Sequence, residues 1–210
     1  MRSRPRILVT GFGSFPGVPA NPTETLVERL AAAPEKLAAL GDVTTALLQV
    51  EYGSLPARLA ELGATFKPDV AVHFGVSRSA RGFAIEQVAR NRVCTEKPDN
   101  AGFTPSLAFV RKGSGDLATS LPTDALLAAL TREGLPAERS DDAGDYLCNY
   151  LFFLSRGGQA QHFTPALSGF VHVPPFDTTT LDGETFTEEK LERGALVIID
   201  ACAAHWRAQG

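Results

Sequence analysis

Cys148 stands in Asp142-Ala143-Gly144-Asp145-Tyr146-Leu147-Cys148-Asn149-Tyr150, where loop residues give way to an apolar helical run. A thiol at a helix start faces backbone N–H groups without intrahelical partners, at the positive end of the dipole. Both favour the thiolate, the nucleophilic form of cysteine. Downstream, Gly169-Phe170-Val171-His172-Val173-Pro174-Pro175 puts an imidazole at the end of a short apolar strand that the prolines stop. A cysteine and a histidine delivered to one sheet edge are the minimum parts of a thiol hydrolase. A third residue, Glu86, interrupts the mostly apolar segment 83–89. Such a carboxylate can accept from the second imidazole nitrogen, fixing its tautomer and stabilising the imidazolium.

Each of these residues also has an ordinary reading. A free cysteine is more often a buried small hydrophobe than a nucleophile, and Glu86 alone reads as a solvent-facing carboxylate. Cys94 has no histidine near it in sequence, and Cys202 falls on the apolar stripe of the last helix, which makes it core. His73 lies inside a strand and packs beside the sheet on this reading. His162 and His205 sit in a polar loop and near the C-terminus.

The elements that must position these groups follow from pattern. Residues 7–10 are a β-branched run ended by Gly11-Phe12-Gly13-Ser14-Phe15-Pro16-Gly17. Gly11-x-Gly13 is the first half of a dinucleotide fingerprint, but Pro16 takes the third glycine position and no acidic residue ends the second strand. Phe12 and Phe15 instead read as walls of an apolar pocket at the C-terminal edge of the sheet, or as plain core. Asn21-Pro22-Thr23-Glu24 starts a helix, with Asn21 as cap and Glu24 where a capping box wants a carboxylate.

Strands at 44–50 and 70–74 flank a helix at 55–62, and this alternation predicts βαβ units and an α/β sheet. Residues 83–89 read as one more strand. Residues 91–115 read as a long surface excursion with one hairpin. Thr123 is expected to cap a helix running to 133, and a short strand at 137–140 precedes the Cys148 loop. Helices are expected at 147–154, mostly buried, and at 187–208. No repeat or linker breaks the chain, so residues 1–210 read as a single domain.

The chain has 210 residues, 44% of them hydrophobic and 21% charged, as in an ordinary globular protein. A net charge of −4 gives no reason to expect nucleic acid or an anionic membrane as partner. No apolar run approaches the roughly 20 residues that span a bilayer, and the basic opening hexapeptide lacks the apolar core of a signal peptide. Three cysteines without CxxC spacing argue against a disulfide framework and a zinc site, and for a reducing cytoplasm. Apolar loops near the pocket could support a homo-oligomer, but no heptad sets a number.

Read in order, these segments resemble the pyroglutamyl peptidase I family of cysteine peptidases. The resemblance rests on Val9-Thr10-Gly11-Phe12-Gly13-Ser14-Phe15, Asn21-Pro22, Val72-His73-Phe74-Gly75-Val76-Ser77 and Ile85-Glu86-Gln87-Val88-Ala89-Arg90-Asn91. It continues through the Cys148 and His172 segments, from residue 7 to about 175.

The resemblance implies an open, twisted, mostly parallel α/β sheet with helices on both faces. It implies Cys148 as nucleophile, His172 as general base and Glu86 as the carboxylate orienting it, acting on a peptide with N-terminal pyroglutamate without cofactor or metal. Phe12 and Phe15 would hold the lactam ring, and backbone beside Gly75-Val76 and Tyr146-Leu147 would complete the pocket. The residues alone also allow a different thiol amidohydrolase or a non-catalytic small-ligand-binding protein. The chain departs from the family pattern at Ser14, Pro16 and Glu96. Asp145 would oppose a thiolate if it pointed inward, and residues 176–186 form a longer connection than usual.

Overall fold

The computed structural model describes residues 4–209; Met1 to Ser3 of the basic opening segment and Gly210 lie outside the described residues. Strand β1 (Arg6–Phe12) is buried from its second residue onward, as a strand covered on both faces must be. Helix α1 (Pro22–Ala32) follows, then the single turn α2 (Pro34–Leu37), β2 (Asp42–Leu48), α3 (Ser54–Thr65) and β3 (Val70–Val76). Next come β4 (Phe83–Glu86), the two-residue strands β5 (Val88–Ala89) and β6 (Leu117–Ala118), α4 (Thr123–Arg132) and β7 (Ala137–Ser140). The chain ends with α5 (Leu147–Gly157), β8 (Leu167–Val173) and α6 (Glu188–Ala208).

Six strands form one sheet in the order β2-β1-β3-β8-β4-β7, while β5 and β6 form a separate ribbon. Every neighbouring pair in the large sheet is parallel except β8 with β4. Strand alternation sends Val70, Val72 and Phe74 into one core, packed with the apolar residues of α1, α4 and α6. Leu8, Ala71 and Phe170 enter a second core with α3 and α5. Helices therefore cover both faces, and none among the described residues is long and apolar enough to cross a membrane.

Several local expectations need correction. The strand expected at 83–89 breaks at Gln87: its N–H bonds the Ser140 carbonyl, its own carbonyl accepts from Thr119, and the chain then leaves the sheet for the ribbon. The second strand runs from Asp42 to Leu48, earlier than 44–50. The 91–115 excursion contains no strand, because side chains satisfy its backbone. Asn91 accepts from the N–H groups of Val110 and Arg111 and donates to the carbonyls of Arg111 and Ser114. Asp99 accepts from Tyr52, Ala101 and Phe103. Thr123 is the first residue of α4 rather than its cap, a position held by Pro122 without a side-chain bond.

Elsewhere Asn21 and Thr187 act as caps, although among the described residues the Glu24 side chain does not close the expected capping box. Asn21 Oδ1 accepts from Thr23 N at 3.1 Å while its amide donates to Gly13 O at 3.0 Å, so one side chain fixes both the helix start and the glycine-rich loop. Thr187 caps α6 by accepting from Lys190 N at 3.3 Å. Farther along α6, Gly194 lies so close to β4 that a Cβ there would fall 2.0 Å from the Phe83 ring. Gly194→Ala is therefore predicted to destabilise the protein by about 1–3 kcal/mol through overpacking, read as a lower denaturant midpoint at unchanged slope. An unchanged midpoint would show that the α6–β4 contact is looser than described.

Candidate active site

Cys148 is the second residue of α5, whose capping position, Tyr146, makes no side-chain cap. The helix thus opens with backbone N–H groups that no side chain at the cap satisfies, directly beside the thiol. Across from it, β8 pairs with β3 in the register Gly75↔His172 and with β4 in the register Ala84↔His172. The Gly75 position is sterically required: a Cβ there would stand 2.9 Å from Cys148 Sγ and 2.6 Å from the Phe170 ring. Gly75 lets the sulfur approach the strand that carries the histidine.

The antiparallel β8–β4 pairing brings Glu86 beneath the imidazole, with His172 Nδ1 and Glu86 Oε1 2.7 Å apart. Glu86 is 1% exposed and His172 6%, so the pair is shielded from water. The Phe170 ring lies 4.8 Å from the imidazole, centre to centre, and backs it. Burial opposes a charge on His172, but the Cys148 sulfur and then the Glu86 carboxylate outweigh it, raising the imidazole from 6.5 to about 9. The site therefore favours the imidazolium form of His172.

On the β1 side of the sulfur lies a narrow apolar cavity with about 270 Å³ of space, lined by Phe12, Phe15, Val76, Tyr146, Leu147 and Cys148. Gly75 does not line it but abuts the sulfur. Asn21 and Val50 also line the cavity, and sequence reasoning assigned neither to it. Lys97 was missed as well: its ammonium sits 5.2 Å from the Phe15 ring centre and 4.2 Å from that of Tyr146. Tyr146 Oη donates to Pro98 O at 2.8 Å and Asn100 donates to Ser14 O at 3.0 Å, so residues 97–100 strap the cavity from above.

Asn149 was legible only as a polar residue in a buried helix. It is fully buried, accepts from Arg90 N and donates to the carbonyls of Arg90 and Arg92, pinning the chain beyond Glu86 to the helix carrying Cys148.

The other candidates lie apart. Cys202 is fully buried in α6, and burial pushes its thiol to about 12. Cys94 is half-buried with Glu96 and Asp145 around a separate surface depression. Asp145 is exposed and does not turn inward. His73 is buried between Thr10 Oγ1 at 2.8 Å and Ser155 Oγ at 2.9 Å, and burial lowers it to about 3, so it is a neutral core group. His162 is exposed and lines an open depression at the opposite end of the sheet, while His205 bonds Gln209.

A family model described as pyroglutamyl peptidase matches residues 5–194. The chain belongs to the pyroglutamyl peptidase family. The pyrrolidone-carboxylate peptidase of Pyrococcus furiosus is 33% identical over 180 residues, 84% of each chain. That of Oceanobacillus iheyensis is 29% identical over 199 residues, covering 92% of this chain and 97% of the relative. A solved pyrrolidone carboxyl peptidase from Pyrococcus furiosus matches with a TM-score of 0.80 at 28% identity, covering 96% of this chain and 99% of that one. As a pyroglutamyl peptidase family member the chain is a peptidase, a hydrolase of the cysteine type.

The three thiols differ in charge environment and access, which predicts their reactivity. At pH 6 iodoacetamide should modify Cys148 first and faster than a free thiol, Cys94 more slowly, and Cys202 only after unfolding. Peptide mapping by mass spectrometry checks this. Cys148 reacting no faster than a free thiol would contradict the electrostatic reading of the site.

Proposed function

We propose that the protein removes an N-terminal pyroglutamyl residue from peptides, using Cys148, His172 and Glu86 through a thioester intermediate. The observation that carries this reading is the placement of Cys148. Its sulfur lies at an uncapped helix start, beside an apolar cavity on one side and an imidazole held by a buried carboxylate on the other.

The flat, uncharged lactam suits the aromatic walls Phe12 and Phe15, with Val76, Tyr146 and Leu147 closing the slot. The exocyclic carbonyl carbon that joins the ring to the next residue then meets Cys148 Sγ. With the proton already on His172, the thiolate attacks that carbon. The oxygen takes the negative charge and is received by backbone N–H groups at the α5 start, including that of Cys148. Collapse of the adduct breaks the carbon–nitrogen bond. The His172 imidazolium passes its proton to the departing amine, leaving the pyroglutamyl thioester. Water then attacks the thioester, His172 takes one of its protons, and pyroglutamate leaves as the sulfur is released. Glu86 keeps Nδ1 protonated throughout, so that Nε2 performs both transfers.

Hydrolysis of a pyroglutamyl arylamide should be rapid for the wild type, absent for the prolyl analogue, and lower by roughly three orders of magnitude or more in Cys148→Ala. Persistence of activity in that variant would remove the mechanism. The pH profile carries a second expectation. Proton donation to the leaving amine requires the imidazolium, so kcat/KM should fall as pH rises through about 9. Glu86→Gln removes one of the raising groups and should move this limb to lower pH. The stability link has the same sign: the raised imidazole stabilises the fold fully below about 6.5 and loses that contribution as pH passes about 9. A basic limb unmoved by Glu86→Gln would contradict the role given to the carboxylate.

A further inference from the structure

A second cavity opens on the other side of His172, over the β4–β7 end of the same sheet face, with about 460 Å³ of space. Glu86 and His172 form its inner end; Ser77, Ser79, Glu138, Ser140 and Asp142 form its walls. Cys148 lines the apolar cavity and not this one, whereas His172 and Glu86 line this one and not the apolar cavity. The order across the sheet edge is therefore apolar slot, sulfur, imidazole, polar cleft. Resting on the function proposed above, we infer that the departing peptide runs from Cys148 past His172 into this polar cleft, which selects a cationic side chain directly after pyroglutamate.

Direction comes from the chemistry. The leaving nitrogen must lie on the His172 side of the sulfur to receive its proton, and the slot on the far side is closed by the strap of Lys97 and Tyr146 over Phe15. The chain after the scissile bond can continue only past the imidazole.

Charge comes from the lining. Glu86 Oε2 is buried and has no hydrogen-bond partner among the described residues, although its carboxylate lines the cleft. A buried carboxylate oxygen left unpaired calls for a donor, and the cleft is the route by which one arrives. Glu138 is exposed at the mouth and forms no ion pair among the described residues. The other charges are engaged: Asp142 receives Arg92 at 2.5 Å, and Arg139, also on the lining, is bound to Asp124. Glu138 is thus the one charged lining side chain without an ion pair among the described residues.

The cleft is also built to hold its shape. Ser77 N donates to Val173 O at 2.9 Å and Ala80 N to Ser77 O at 3.2 Å, folding residues 77–80 into one wall. The long connection 176–186 braces that wall, with Leu181 N donating to Arg81 O at 2.9 Å. It is itself anchored by Phe176 and Phe186, with Phe186 against Phe83 of β4. The family departure noted in this segment thus supports the cleft.

The test measures kcat/KM for pyroglutamyl-lysyl, pyroglutamyl-norleucyl and pyroglutamyl-glutamyl peptide amides, alongside a pyroglutamyl arylamide. The wild type should favour lysine over glutamate by about fivefold at low ionic strength, with norleucine between and the preference shrinking as salt rises. Glu138→Lys should reverse the order, and Ser79→Lys should weaken the lysine preference. The ratio within each enzyme is the readout, so a general loss of activity cancels. A wild-type ratio near one, or a ratio unmoved by both substitutions, would overturn the cleft assignment while arylamide hydrolysis keeps the proposed function intact. Failure to hydrolyse any pyroglutamyl compound would overturn both.

Discussion

The contact between His172 Nδ1 and Glu86 Oε1, 2.7 Å long and shielded from water, is the constraint around which the site is arranged. A buried carboxylate is tolerable only opposite a partner that can carry positive charge, and a buried imidazolium is tolerable only between anions. Each group therefore requires the other, and the Cys148 sulfur on the other side of the imidazole raises it further. The backbone that enforces this is the one antiparallel pairing in the large sheet, β8 with β4. Parallel pairing elsewhere stacks the buried strands under their helices. The reversed β4 brings a carboxylate from an earlier segment to the strand end where the histidine emerges.

The same economy of placement explains the approach of the sulfur. Helix α5 packs on the sheet with its N-terminus aimed at the β3–β8 edge, and Gly75 leaves room there for Sγ. Asn149, next along the helix, holds the chain that follows Glu86. The Cys148 thiol and the Glu86 carboxylate are thus tied through neighbouring residues of one helix turn, so relative motion between them is restrained from two directions. His73, by contrast, satisfies both ring nitrogens with hydroxyls inside the core and stays neutral. Two histidines on adjacent strands of one sheet differ by several pKa units because one meets hydroxyls and the other meets charges.

Much of this was legible in the chain. Cys148 and His172 announced themselves by local context, a helix start and a proline-stopped strand, and strand–helix alternation implied the α/β sheet. Asn21-Pro22 marked its helix by capping chemistry that the structure reproduces. Glu86 stood out as a carboxylate interrupting an apolar run, but such a residue reads equally well as solvent-facing; the resemblance was what tied it to His172. The break at Gln87 was invisible because it depends on which partner, Ser140 or Thr119, the backbone finds in three dimensions. Lys97 and Val50 reach the cavity through loop geometry that side-chain bonds of Asp99 and Asn100 determine. No periodicity encodes such contacts. Thr123 shows the converse, a good capping residue placed one position too far along because Pro122 precedes it.

His172 is held between Cys148 and Glu86, and this contact keeps a proton on its ring. The most direct measurement is an NMR titration of the His172 imidazole in the intact protein, with Cys148→Ala for comparison. Wild-type His172 is expected to remain protonated through neutral pH and to titrate near 9, with removal of the sulfur lowering this value. A wild-type imidazole that titrates at or below the ordinary value of 6.5, or one indifferent to the loss of Cys148, would contradict this expectation.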